Sequence, residues 1–445
     1  MNATALSQHY AEKVQELQKS LPGSLPDWLA GRRDGAARRF AEAGFPDPRM
    51  EEWKYTNVRP IATKPFVGAS ADAEISAEDI QALGFPGLDA YRMVFVNGRF
   101  RADLSILHGV PDGATVQGLG QAIAGDAALL EPLLGTLAHD RFSSFAALNL
   151  AFMIDGALVR LDRNVRLDRP VHLLMIGTAG EPASWCHPRV LIHAGEGSEA
   201  TVIEHYVDVQ GAQGFTNTVT ELRAETGAQV RHYLLQDHAD GAYHVGSVFI
   251  QQRRDSKVIS HNVNLGGRLV RHDLNVDLIE PGAEIVLDGL FLASGRQHVD
   301  THTRVHHSSP NTTSRERYRG IGQGHGRGVF KGRVLVERGA QKTDAQQHSA
   351  NLLLSPNAEI DTKPELEIYA DDVKCAHGAT VGQLDTTSLY YLRSRGIGEQ
   401  EAREMLVFAF ADEVLEGMNL MPVRESIEAR LAARLPGGQA FESGA

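Results

Sequence analysis

The chain has 445 residues, enough for two or three domains with an ample core. Its 44 basic and 56 acidic residues give a formal charge of -12 with no basic run to offset it, which argues against a nucleic-acid binder. Two cysteines, Cys186 and Cys375, are too few for a disulfide framework and fit a reducing compartment. The N-terminal run MNATALSQHYAEKVQELQKS has no apolar export core, and no stretch approaches the roughly 20 apolar residues of a membrane span. A cytoplasmic location without membrane contact is the expectation.

In chain order, residues 8–43 place apolar side chains at helical spacing; Leu25-Pro26-Asp27-Trp28 reads as a helix start, and Pro46 and Pro48 close the segment. An N-terminal helical region over 1–88 is expected. From Tyr91 to Val381 the chain turns to β-branched runs broken by Gly, Asn and Asp, which predicts many short strands in a mainly β core over 89–384. Beyond Asp385 helical spacing returns, first to Gly396, then through Ala402, Met405, Leu406, Ala409 and Phe410, then through Ile427, Leu431 and Leu435. A C-terminal helical subdomain over 385–445 follows.

Inside the β core, Gly197-Ser198-Glu199, Gly227-Ala228-Gln229, Asp255-Ser256-Lys257, Gly282-Ala283-Glu284 and Gly339-Ala340-Gln341 each open a strand-like run. Their separations of 30, 28, 27 and 57 residues give a period of about 28, with Pro310-Asn311 near the middle of the double gap. Such a period predicts a parallel β-helix, each coil burying its inner face against its neighbours. An antiparallel sandwich would need hairpin pairs recurring with the repeat, and Asn97-Gly98, Asp112-Gly113, Asp155-Gly156, Asp240-Gly241 and Asp288-Gly289 do not recur with it.

The segment from Asp361 to Gly396 carries the most chemistry. Leu366, Ile368 and Ala370 alternate with Glu365, Glu367 and Tyr369 as on a half-buried strand; Asp371 and Asp372 interrupt it, and Val373-Lys374-Cys375-Ala376-His377 leads into Gly378. A short extended piece closed by a turn at Gly378 would point Cys375 and His377 the same way. From Thr386 the spacing is helical, with Gly396 as a left-handed cap, so the motif lies at a strand-to-helix junction. A thiolate and an imidazole suit iron and sulfide, but a stable cluster usually wants four protein ligands, so a partner supplies the others or binding is transient. The plainer alternative makes Cys375 a small buried apolar residue and His377 a turn residue.

His298, Asp300, His302, Arg304 and His306 fall on one strand face, which fits either a metal site, as in a stand-alone metalloenzyme, or a solvent-facing or subunit-pairing strand. Cys186 and His187, beside Pro188, read as structural. Gly320, Gly322, Gly324, Gly326 and Gly328 imitate a phosphate loop, yet they precede a β-like run, Val329–Val336, so tight solenoid turns are expected. No Gly-x-x-x-x-Gly-Lys-Ser/Thr occurs, which leaves P-loop ATP hydrolysis to a partner. A β-helix enzyme acting on polysaccharide would need paired carboxylates and an export signal; Asp300 and Asp361 are not obviously paired.

The run DTKPELEIYADDVKCAHGATVG followed by YLRSRGI, with Glu51-Glu52-Trp53-Lys54-Tyr55-Thr56, Asp300-Thr301-His302-Thr303 and GRGVFKG at Gly326–Gly332, resembles the SufB/SufD family of the SUF iron–sulfur cluster assembly system. The likeness is to its SufD-type members, because Asp-Val-Lys-Cys-Ala-His-Gly-Ala-Thr stands where SufB-type chains carry a glutamate-containing motif. The resemblance implies a right-handed parallel β-helix and a non-enzymatic scaffold that pairs with a SufB-type subunit, the His298–His306 region matching the pairing strands. It also implies docking of a SufC-type ABC ATPase on the C-terminal helices, Thr386–Arg395 and Glu399–Glu416; their plainer role is to cap the open end of the solenoid. By the same resemblance His377, with Cys375 second, serves iron acquisition and de novo cluster assembly at the interface. Iron or a cluster would be held only transiently and shared with the partner, with no cofactor permanently bound. Without the partner, an exposed pairing edge implies a homodimer.

Overall fold

The computed structural model describes residues 25–70, 73–138, 143–180, 183–209 and 211–435; the earlier part of the expected N-terminal helix lies outside them. Sixteen strands form its centre, beginning with β1 (Gly156–Leu161), β2 (Val171–Gly177), β3 (Arg189–Ala194), β4 (Glu199–Asp208), β5 (Phe215–Ala224), β6 (Gln229–Asp237), β7 (Tyr243–Gln252) and β8 (Lys257–Asn264). They continue as β9 (Leu269–Leu278), β10 (Glu284–Ala293), β11 (His298–His307), β12 (Thr313–Gly322), β13 (Arg327–Val336), β14 (Asp344–Leu353), β15 (Glu359–Ile368) and β16 (Lys374–Gly382). Odd-numbered strands pair in parallel in one sheet and even-numbered strands in a second, so each odd–even pair is one coil of a β-helix.

A local device sets the repeat. Gly197, Gly227, Asp255, Gly282, Asn311 and Lys342 all have positive φ and stand two residues before β4, β6, β8, β10, β12 and β14. Between each of them and its strand sits a small buried residue: Ser198, Ala228, Ser256, Ala283, Thr312 and Thr343. The left-handed residue turns the chain into the second sheet, and only a small side chain fits the inner corner. Asn311 therefore fills the double gap in the sequence repeat. The last member is Lys342-Thr343-Asp344, three residues later than the expected Gly339-Ala340-Gln341, because the turn geometry at that corner is met by a non-glycine.

The interior is apolar through Val190, Leu222, Ile250, Val276, Val305 and the residues facing them across the coil. At about 25 cal/mol per Å², burial of such side chains dominates the stability. The first coils are covered. Tyr91–Val96 extends the even sheet beside β2, and Ala114–Gly118 pairs antiparallel with β1. Helix α1 (Asp27–Ala43) begins just after Pro26, as expected, and packs with α2 (Ser144–Phe152) through an aromatic cluster of Trp53, Phe66, Phe145, Trp185, Phe215 and Tyr243 on the odd sheet.

Regular coils thus start at residue 156, later than the expected 89, and the stretch between is mixed α and β. Helix α2 gave no amphipathic signal because Phe145 to Phe152 are buried on every side.

Three helices follow the last strand: α3 (Thr386–Ser394), α4 (Glu399–Leu415) and α5 (Met421–Arg434). Gly396 has φ +89°, the expected left-handed cap. Helices α4 and α5 do not cap the solenoid's open end. They run back over the outer face of the even sheet, where Val407, Ala411, Val414, Ile427 and Leu431 meet Tyr233, Leu235, Val263 and Leu290. Of the expected Ala402, Met405, Leu406, Ala409 and Phe410, α4 buries Ala402 and packs Phe410 partly against the sheet, while Met405 and Ala409 are exposed; apolar residues surround this helix, and the sheet selects the Val407 face.

Candidate functional site

Among the described residues strand β16 is the outermost strand of the even sheet, paired on one side only, to β14. Cys375 is in register with Ala345 and His377 with Gln347, both of which face inward, so parity aims Cys375 and His377 at the mouth of the coil. The strand runs on through Gly378 to Gly382 and does not turn at Gly378, because β14 supplies a continuous ladder of partners. Cys375 packs beside Val334, Val336, Ala345 and Ala370, and burial pushes its thiol up. His377 is exposed, since no further coil covers it. Around them the last coil leaves Ile368 40% and Val381 45% exposed.

Beneath His377 the same inward column continues through Gln347 to Glu316. The Glu316 carboxylate accepts hydrogen bonds from Thr303 Oγ1 at 2.5 Å and from Gln347 Nε2 at 3.1 Å. Its complete burial outweighs these bonds and pushes its carboxyl up to about 7. Sequence reading passes over these two inward-facing polar side chains, which stand beside Thr303, Ser349 and Asn351 in a partly polar interior. The signal was present, since Glu316 and Gln347 occupy inward-facing positions of their strands.

The histidine-rich strand has a different environment. Strand β11 lies inside the odd sheet between β9 and β13, so neither of its edges is open for pairing with another chain. Its first half is covered by residues 51–56. Thr56 hydrogen-bonds His298 at 2.7 Å and donates to Asp300, while Glu52 contacts His302 at 3.5 Å and Lys331 at 2.9 Å. Arg271 lies 4.4 Å from the Trp53 ring centre and joins Asp300 at 2.5 Å and Asp273 at 2.7 Å. Burial favours neutral Asp300, but Arg271 outweighs it and holds the carboxyl well below its usual range. Burial likewise opposes charge on His302, yet Asp300 and Glu52 raise its pKa.

His306 bonds Asp277 and Glu337 instead, so the three histidines have separate partners and do not converge. Among the described residues no group of three or more His, Cys, Asp or Glu side chains is placed to hold a metal ion.

Cys186 sits beside Thr216 at 3.6 Å, and burial pushes its thiol up to about 12; His187 is buried against Phe152 and bonded to Asn217. Both are packing residues. Of the five glycines, Gly324 makes the turn, with φ +64°, whereas Gly320 and Gly328 lie in strands where Phe291 leaves no room for a Cβ. Asp361 pairs with Arg327 and lies apart from Asp300. No helix among the described residues is long and apolar enough to cross a membrane.

Residues 4–173 match the SufBD protein N-terminal region, and residues 175–410 match the SufBD core domain of SUF system FeS cluster assembly. The chain belongs to the SufBD family. It is 34% identical to the iron-sulfur cluster assembly protein SufD of Escherichia coli, over 90% of this chain and 92% of that one. An iron-sulfur cluster assembly SufBD family protein of Synechocystis is 33% identical over 97% of this chain and 98% of its own. A chloroplastic protein of Arabidopsis thaliana, ABCI7, is 28% identical over 93% and 88%. Three SufBD-like blocks separated in the sequence, at Glu51–Thr56, Asp300–Thr303 and Gly326–Gly332, meet in this fold as one clasp on the odd sheet, through Glu52, Asp300, His302 and Lys331.

Proposed function

We propose that this SufBD family member is a non-enzymatic scaffold subunit of a cytoplasmic SUF complex, with iron and the nascent cluster as its cargo. The observation that carries the reading is the uncovered last coil. Strands β15 and β16 end their sheets with unpaired backbone edges, and β16 presents His377 and Cys375 at the mouth. Open edges pair readily with a second chain. A SufB-type subunit placed there supplies the ligands that one imidazole and one thiol cannot, and it shields a transient cluster from water. In the absence of that subunit, two copies of this chain pair through the same edges.

A SufC-type ATPase docks on the helices after β16. Tyr390 is 75%, Tyr391 57% and Met405 39% exposed there, apolar side chains left uncovered on α3 and α4. Because α3 follows β16 directly, movement of the ATPase is transmitted to the strand that bears His377.

The test is co-purification with SufB-type and SufC-type partners, followed by anaerobic reconstitution read by absorbance. His377→Ala is expected to form the complex and lose the cluster spectrum, with Cys375→Ser reduced to a lesser degree. An unchanged assembly rate in His377→Ala would sink the reading.

A further inference from the structure

The column beneath His377 holds an unused hydrogen-bond acceptor. Gln347 is 2% exposed and donates its Nε2 to Glu316, yet its carbonyl Oε1 is buried with no hydrogen-bond partner. An orphaned buried carbonyl costs about 1–3 kcal/mol, so a donor that reaches this one is favoured. Two contacts place the amide, and the register gives its neighbour on the open side. Glu316, held by Thr303, takes the amide nitrogen and turns the oxygen the other way. Gly332, from the facing sheet, leaves the amide its space, because a Cβ there would lie 2.1 Å from Gln347 Nε2. The neighbour of Gln347 on the open side, in direct register, is His377.

We propose that Gln347 is a positioning residue for His377: its carbonyl oxygen accepts one imidazole N–H, which fixes the ring and leaves the other nitrogen's lone pair for iron. The inference rests on the role proposed for His377 above. Histidines that bind metals are oriented in this manner by an acceptor on their second nitrogen, and loss of that acceptor costs about 10–100-fold in affinity or activity. Glu316, Thr303 and Gly332 hold Gln347 in place; none of them touches iron.

Two measurements decide it. In the complete complex, Gln347→Leu is compared with His377→Ala for the rate of cluster assembly. At an unchanged melting temperature, a drop of about tenfold or more in Gln347→Leu is expected. Assembly at the wild-type rate in Gln347→Leu, with His377→Ala inactive, overturns the inference and leaves the proposed function standing. If His377→Ala is itself fully active, the proposed function falls and the inference with it.

The second measurement needs no foldable variant at position 347. Imidazole 15N spectra of the full wild-type chain, with the His377 signal assigned by its absence from His377→Ala, are expected to show one fixed tautomer. The averaged shifts of a freely exchanging ring overturn the proposal.

Discussion

Strands β11 and β16 belong to the same solenoid and both carry histidine, His298 and His302 facing outward on β11 and His377 inward on β16, yet they do opposite things. On β11 the residues 51–56 lie over His298 and His302, and each ring has a partner. On β16 no coil follows, so His377 stays exposed at an unpaired edge. A histidine closed within a charge network holds two parts of the fold together. One at an open edge is free to bind. The contrast shows that position in the stack, more than residue type, assigns the role.

The largest expected effect comes from acid, and it concerns the covered coils. Burial drives His172, His187 and His272 down to about 3, and His261 and His307 to about 4. Their folded values lie below the ordinary 6.5, so their stability is complete above pH 6.5 and is lost as pH falls towards 3. With about 1.4 kcal/mol per pKa unit for each ring, urea midpoints are expected to drop steeply between pH 6.5 and 4. A flat profile there would break the picture of closed rings.

Next in size is the clasp. Arg271→Ala leaves buried Asp300, and partly buried Asp273, without this counter-charge and is expected to cost about 3–5 kcal/mol in denaturant unfolding. A loss under about 1 kcal/mol would mean that residues 51–56 do not seal β11.

Glu316 gives a smaller change of opposite pH sense. Its folded pKa, about 7, lies above the ordinary 4.5, so its contribution is present below 4.5 and is lost as pH rises to about 7. The stability of Glu316→Gln relative to wild type is therefore expected to rise by about 3 kcal/mol across that window and to level off above it. A difference independent of pH would show that the carboxyl is not enclosed.

At the small end, His377→Ala is expected to cost about 1 kcal/mol in the isolated chain, since the ring is exposed and its one tie is the hydrogen bond proposed to Gln347. A larger loss would place His377 in the fold and not at its edge.

Much of this architecture is legible in the residues themselves. The period of about 28 with Gly, Asp or Asn at the turn follows from a local requirement for positive φ, which sequence reports directly. The alternation of β15, the break at Asp371-Asp372 and the cap at Gly396 are equally local. Where Lys342 meets the requirement, the sequence repeat points three residues early, because lysine carries no such signal. Helix α2 was missed since burial on all sides erases periodicity.

What the sequence by itself determined is the coil, its alternation and that Cys375 and His377 point the same way, all consequences of φ, ψ and period. Only the tertiary structure decided which strands are covered. Residues 51–56 reach β11 across more than two hundred positions, and α4 and α5 turn back over the even sheet instead of the open end. Such choices depend on which apolar and charged faces meet in space. A histidine at an open edge and one under a clasp look alike until those faces have met.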